Sequence, residues 1–196
     1  AEKDLFMGLY IYDKYDWSIS YPVIHISFGA GNNKSVEQLN RNIRDIVQYN
    51  EDALEIKCRE NESPKTNFID LIKLSFNKYN KKVVVLVDEY DKPILDSIDD
   101  TKTAIQIREN LKDFYSVIKD NDEFIKFVFI TGVSKFSKVS LFSGLNNLDD
   151  ITVDSNYSKI CGYTQSDIEF HFKDRLKNVD MEMLRTWYNG YSWLGE

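Results

Sequence analysis

Sulfur and imidazole are scarce in this chain of 196 residues. It has two cysteines, Cys58 and Cys161, and two histidines, His25 and His171. The cysteines are far apart and have no neighbouring ligands, so a disulfide framework and a structural zinc site are both excluded; buried thiols in a reducing compartment are expected. No apolar run approaches the ~20 residues that span a bilayer, and the start has no signal-peptide pattern, so a cytoplasmic location is the simplest expectation. Basic charge is also short. Lys and Arg number 25 against 32 Asp and Glu, a net charge of −7. That balance argues against direct nucleic-acid contact by this part of the protein, because such contact relies on cations neutralising phosphates. A local basic patch around Lys135 and Lys138 is the exception.

With 42% hydrophobic and 29% charged residues, the chain has the profile of a globular protein with one sizeable core. Three continuous apolar runs, Val23 to Phe28, Val83 to Val87 and Phe127 to Thr131, are expected as interior parallel strands covered on both faces. Helical patterns separate them. Ser35 and Gln38 form a capping box, followed by a stripe of Val36, Leu39, Ile43, Ile46 and Val47. Asn67 is expected to cap a second helix carrying Phe68, Leu71, Ile72 and Tyr79. A third is expected from about Thr103 to Lys119, with Ala104, Ile107, Leu111, Phe114 and Ile118 inward. Strands alternating with helices predict an α/β fold with a mostly parallel sheet. Residues Gly132 to Asp154 are rich in Ser, Gly and Asn and read as a long ordered loop. Thr164 and Asp167 then open a small helical region, Ser166 to Tyr188, with Ile168, Phe172, Leu176 and Leu184 inward. The expected organisation is an α/β core over 1–155 and a small helical C-terminal region of the same domain over 156–196.

The second apolar run ends abruptly in acids: "VVVLVDEYDKPI". In an open parallel sheet, ligands sit beyond the carboxyl ends of the strands. A hydrophobic strand closing in Asp-Glu is the Walker B pattern of P-loop ATPases. In that pattern Asp88 holds Mg²⁺, and Glu89 orients or deprotonates the water that attacks the γ-phosphate. The alternative is a solvated strand terminus or a helix cap. Asp91, followed by Lys92 and Pro93, reads as the start of a helix with Pro in its first turn. The third run ends in Thr131, followed by Gly132, Ser134 and Lys135. A hydroxyl there fits a residue that senses the γ-phosphate, or a Thr that merely ends a strand. Lys135 is a phosphate contact or a solvated lysine. No G-x-x-x-x-G-K-[ST] phosphate loop occurs. Its nearest imitation, Gly29 to Ser35, has the wrong spacing and reads as an ordinary strand-to-helix turn.

The segments "LFMGLYIYDKYDW", "YPVIHISF", "VVVLVDEYDKPI", "FVFITGVSKFSKVSLFSGLNNLDDIT", "YSKICGYTQSDIE" and "WYNGYSW" together resemble the bacterial AAA-ATPase-like family. Its members often carry a PD-(D/E)XK nuclease-like domain after the ATPase-like domain. The resemblance spans nearly the whole chain. It implies a P-loop NTPase-like fold, Walker B at Asp88-Glu89, and a sensor-like segment from Thr131 to Lys135. It assigns catalytic roles to Glu89, Thr131 and Ser134, nucleotide binding to Asp88 and Lys135, and the Mg²⁺ to Asp88. In the family the phosphate loop precedes the segment at which this chain begins, and the nuclease-like domain would follow Glu196. The chain therefore reads as a fragment truncated at its N-terminus. Its parent is expected to bind Mg²⁺ and ATP and to hydrolyse ATP as a conformational switch, with a nuclease-like domain in cis. The fragment itself is expected to bind ATP weakly or not at all, and to be inactive. Loss of a first strand would uncover a sheet edge that invites self-association.

Two readings compete. One is a non-hydrolysing protein-interaction module on a P-loop-like fold, using the Ser/Asn-rich loop from Lys135 to Asn147. The other is a nuclease built on Glu55-Ile56-Lys57. No Asp-bearing strand precedes that tripeptide, which argues against it.

Overall fold

Three strands run side by side, all parallel, in the order β1 (Val23–Ser27), β2 (Val83–Asp88) and β3 (Ile125–Ile130). This is the architecture of a computed structural model that describes residues 3–31, 33–60, 62–133, 141–142 and 145–188. Between β1 and β2 lie α1 (Val36–Leu54) and α2 (Pro64–Tyr79); between β2 and β3 lie α3 (Lys92–Leu95) and α4 (Thr101–Asp120). The chain is thus an α/β protein whose parallel sheet is flanked by helices, as a P-loop-like fold requires. It divides into two compact units, Ala1–Asn146 and Asn147–Glu196.

Register sorts the strand residues onto two faces. Ile24 pairs with Val85 and Ile26 with Val87, and all four are buried. The α1, α2 and α4 helices pack on one another, with α1 also against β1 and α2 against β2. Leu39, Ile43 and Val47 of α1, Phe68, Leu71 and Ile72 of α2, and Ile107, Leu111, Phe114 and Ile118 of α4 are buried, as their helical spacing predicts. The expectation that the strands are covered on both faces fails for β1 and β3. Val23 is 42% and Phe127 54% exposed, and His25 is exposed as well. Along β1 these side chains alternate with the buried ones, and register sets Val23 and His25 in line with Phe127 and Phe129 of β3 across β2, so they line the opposite, open face. Phe127 stacks on Phe129 there, with ring centroids 6.3 Å apart. Among the described residues β3 pairs with β2 alone.

The caps show where local reading succeeds and fails. Ser35 Oγ accepts the Gln38 N–H at 3.3 Å, while the Gln38 side chain reaches back one residue further than in a standard box, to the Lys34 N–H at 3.1 Å. Asn67 does not cap α2. The helix begins four residues earlier in sequence than that expectation, at Pro64, and Ser63 Oγ accepts the Thr66 N–H. Pro64 at the first position needs no N–H partner. Asn67 is instead buried inside α2, donating to the Arg59 carbonyl at 3.0 Å.

The second unit holds α5 (Gln165–His171) and α6 (Met181–Tyr188). Thr164 and Asp167 open α5 as expected, and they do so through a reciprocal capping box. Asp167's carboxyl is held below the usual range chiefly by the Thr164 hydroxyl. Of the side chains expected inward, Ile168, Leu176 and Leu184 are half-buried and Phe172 remains 37% exposed, its ring edge-on to Tyr163. The segment expected as a long loop, Gly132 to Asp154, lies partly outside the described residues.

Candidate functional site

The ladder between β2 and β3 continues one step past the strands. The Thr131 N–H donates to the Val87 carbonyl at 2.8 Å, and the Tyr90 N–H donates to the Thr131 carbonyl at 3.0 Å. Val87 and Tyr90 thus hold one partner residue between them, one residue more than a regular parallel ladder allows; Asp88 still pairs with Ser27 of β1, so Glu89 is the residue that arches out. The arch is visible in Glu89, whose φ is +53°. A non-glycine residue in the left-handed region costs about 1–2 kcal/mol, and such strain concentrates where side chains must be aimed.

The arch sends the two carboxylates to different sides of β2. Asp88 lies towards β3, where its Oδ1 accepts the Thr131 hydroxyl at 2.7 Å. Glu89 lies towards the end of β1. A Cβ on Gly29 would sit 3.5 Å from the Glu89 carboxyl atoms, so the backbone after β1 passes beside that carboxylate. The Asp88 carboxylate has a fixed partner, whereas the Glu89 carboxylate has no hydrogen-bond or ion-pair partner among the described residues; only the Glu89 backbone carbonyl is engaged, accepting the Lys92 N–H at 3.1 Å. Asp88 is exposed and Glu89 half-buried. The structure therefore brings Asp88, Glu89 and Thr131 to one carboxyl end of the sheet. Ser134 and Lys135 lie outside the described residues.

Beneath this end lies a buried layer. Asp91 is fully buried and its Oδ1 accepts the Val133 N–H at 3.2 Å. Gly132 presses on the same place: a Cβ there would come within 2.5 Å of the Tyr90 ring and 2.7 Å of Asp91 Oδ1. Only a residue without a side chain fits. Tyr115 from α4, also fully buried, donates its hydroxyl to the Tyr90 carbonyl at 3.2 Å. Burial first, and the charges of Asp91 and Tyr90 second, push that phenol well above its ordinary range, so it stays a donor. The wall of the site after β1 is anchored too. Buried Asn33 donates to Asp96 Oδ2 at 3.2 Å and accepts from Asn42 at 3.0 Å, and its carbonyl accepts the Ser97 hydroxyl at 2.9 Å.

A family model described as AAA-ATPase_like, Predicted AAA-ATPase, matches residues 1–142. The chain belongs to this AAA-ATPase-like family. It is also 50% identical, over all of its 196 residues, to a protein of Azotobacter chroococcum mcd 1 described as "Uncharacterized protein in vnfD 5'region". The chain spans 38% of that relative's length. No solved structure matches it.

P-loop ATPases in general use Mg²⁺, and the residues present fit that ion in one particular way. Among the described residues no group of three or more His, Cys, Asp or Glu side chains could hold a metal by itself. Asp88 and Thr131 nevertheless offer hard oxygen donors side by side, the set that suits an ion keeping several waters and sharing phosphate oxygens with its nucleotide. The nuclease reading gains nothing. Glu55 is the left-handed cap of α1 and pairs with Lys78 at 3.0 Å, while Lys57 pairs with Glu51 at 3.2 Å.

Asp91 is the residue that sequence reasoning misplaced. It precedes α3 in the cap position, as its Lys-Pro sequel suggests, but its side chain makes no cap hydrogen bond. It turns instead to a segment about forty residues ahead in the chain. The one sequence signal of this is an acid set between Tyr90 and an apolar Pro93-Ile94 pair, all buried.

Proposed function

We propose that this chain is the Walker B and sensor half of an ATP-hydrolysing domain, working as a conformational switch in the whole protein. The observation that carries the reading is the arch at Glu89, which leaves one carboxylate tied to the neighbouring strand's hydroxyl and the other without a partner among the described residues. Mg²⁺, when bound with ATP, supplies charge neutralisation at the phosphates. Asp88 holds the ion's hydration shell. Glu89 would orient the attacking water and take its proton, a role suited to a carboxylate that no group among the described residues restrains. Thr131 keeps Asp88 in place and offers its hydroxyl beside the phosphates, and Ser134 and Lys135 extend the same segment. In this reading the phosphate-cradling backbone comes from outside these 196 residues, so the chain alone binds ATP weakly, and a nuclease-like domain in cis is the element the switch would drive.

The test is Glu89→Gln in the full-length protein. Removing a general base lowers turnover by roughly 10²–10⁴-fold, and ATP affinity by titration calorimetry should stay within about threefold, because a neutral isostere leaves phosphate binding intact. Unchanged turnover would sink the role of Glu89 and favour a non-hydrolysing interaction module.

A further inference from the structure

Three carboxylates fall within four residues, and the proposed chemistry uses two. The third, Asp91, is the most buried of them and is turned towards the segment that follows Thr131. Three contacts lace the β2 turn to that segment in sequence order: Tyr90 N–H to Thr131 carbonyl, the Gly132 Cα against the Tyr90 ring, and Val133 N–H to Asp91 Oδ1. Thr131 sits at the head of the laced segment, and its hydroxyl is the group that holds Asp88. Val133 itself is 83% exposed, so nothing in its side chain pins the backbone there. The restraint comes from the Asp91 acceptor and from the absence of a side chain at Gly132.

We infer that Asp91 is a positioning residue, which clamps the Gly132–Val133 backbone so that the Thr131 hydroxyl stays on Asp88. The inference rests on reading Asp88, Glu89 and Thr131 as an ATPase site. Asp91 touches neither nucleotide nor water in this scheme; it acts through Thr131. An oxygen acceptor is what the clamp needs, so Asn at this position, which keeps a carbonyl oxygen in the same place, should serve nearly as well as Asp. Ala removes the acceptor and leaves the Val133 N–H unanswered.

The experiment is a mutant cycle on the full-length protein: Asp91→Ala, Asp91→Asn, Thr131→Val and Asp91→Ala with Thr131→Val. Expected are kcat losses of roughly ten- to a hundredfold for Asp91→Ala and for Thr131→Val, the loss of one well-placed hydrogen bond. KM for ATP should change by less than about twofold. The double variant should be no slower than the slower single by more than about threefold, because both changes break one linkage. Asp91→Asn should retain kcat within about threefold. Multiplying losses in the double variant, a loss in Asp91→Asn equal to that in Asp91→Ala, or a change in KM alone would overturn the clamp.

A second readout needs no ATP turnover. Amide exchange and chemical shift of Val133, measured by NMR on the nucleotide-free protein, should show a protected, hydrogen-bonded N–H in the wild type and in Asp91→Asn. That protection should be lost in Asp91→Ala. A Val133 amide unaffected by Asp91→Ala would overturn the inference. If the wild type hydrolyses no ATP while this amide behaves as expected, the clamp stands and the ATPase reading falls.

Discussion

At the amino ends of the strands, Pro22, Val23, Leu54, Tyr79 and Lys81 help to line a cleft of about 360 Å³. Two of its polar side chains are tied off: the Tyr79 hydroxyl donates to the Leu54 carbonyl at 3.0 Å and the Lys81 ammonium to the Ser20 carbonyl at 3.0 Å. At the carboxyl ends the polar groups are arranged differently. Asp88 is held, Glu89 is not, and backbone strain is kept in the arch between them. Both ends grow from the same strands and share the same helical layer, so the difference is not one of core stability. A satisfied polar group stabilises the fold, whereas an unpaired one placed beside a fixed one can do chemistry on something brought from outside. The carboxyl end is where a carboxylate without a partner among the described residues stands beside one that is held.

The most severe way to break this contrast is to remove what the two ends share. Phe68 is fully buried and stacks on Phe114 with ring centroids 4.7 Å apart. Phe68→Ala should destabilise the first unit by about 3–5 kcal/mol. Urea unfolding followed by hydrogen exchange should show the amides of Val133 and Tyr79 losing protection together. Loss at different urea concentrations would mean that the two ends belong to separately stable regions, and the comparison would then be one of neighbours and not of one body.

A gentler change sharpens the contrast. Tyr79→Phe removes one of two donors to the Leu54 carbonyl, the other being the Lys78 ammonium at 3.1 Å, and should lower stability by about 0.5 kcal/mol. Turnover and the Val133 amide should stay as in the wild type. An altered Val133 signal would show that the amino end reaches the site.

The smallest expected effect lies away from both ends. The Arg59 guanidinium donates to both oxygens of Asp70, at 3.0 and 2.9 Å, and this pairing holds Asp70 below the usual carboxylate range. A carboxyl lowered in the folded state contributes stability above its unfolded value, near pH 4, and that contribution is lost as pH falls through the folded value. Arg59 is largely exposed, so the pair is weak. Asp70→Asn should therefore be slightly less stable than the wild type at neutral pH, with the gap closing in acid. Thermal melts showing the gap widening in acid would reverse the sign of the argument.

Sequence pattern was a reliable guide wherever the cause is local. The stripes of α1 and α4 repeat every three to four residues and are buried except for Val36, Ile46 and Ala104, which are half-buried, and the Thr164–Asp167 box spans a single turn. The acids at the end of β2 were legible because an apolar run stops at Asp88. Asn67 misled because an Asn near a helix start is a good cap in general, and only the Ser63-Pro64 pair beside it shows that the helix has already begun. The open sheet face was not legible, since the apolar Val23 and Phe127 sit in runs that look continuous until register assigns alternate residues to opposite sides.

The sequence by itself determined which segments are strands and helices, and that a pair of acids would stand at a strand's carboxyl end. These follow from periodicity and from interactions within a turn or two. Tertiary structure alone decided what each of the three acids touches. Asp88 meets Thr131 across 43 positions and Asp91 meets Val133 across 42, while Glu89 is left with no such partner among the described residues. Those assignments depend on β3 docking beside β2 and on the one-residue arch it forces, and no local pattern in "VDEYD" carries that information.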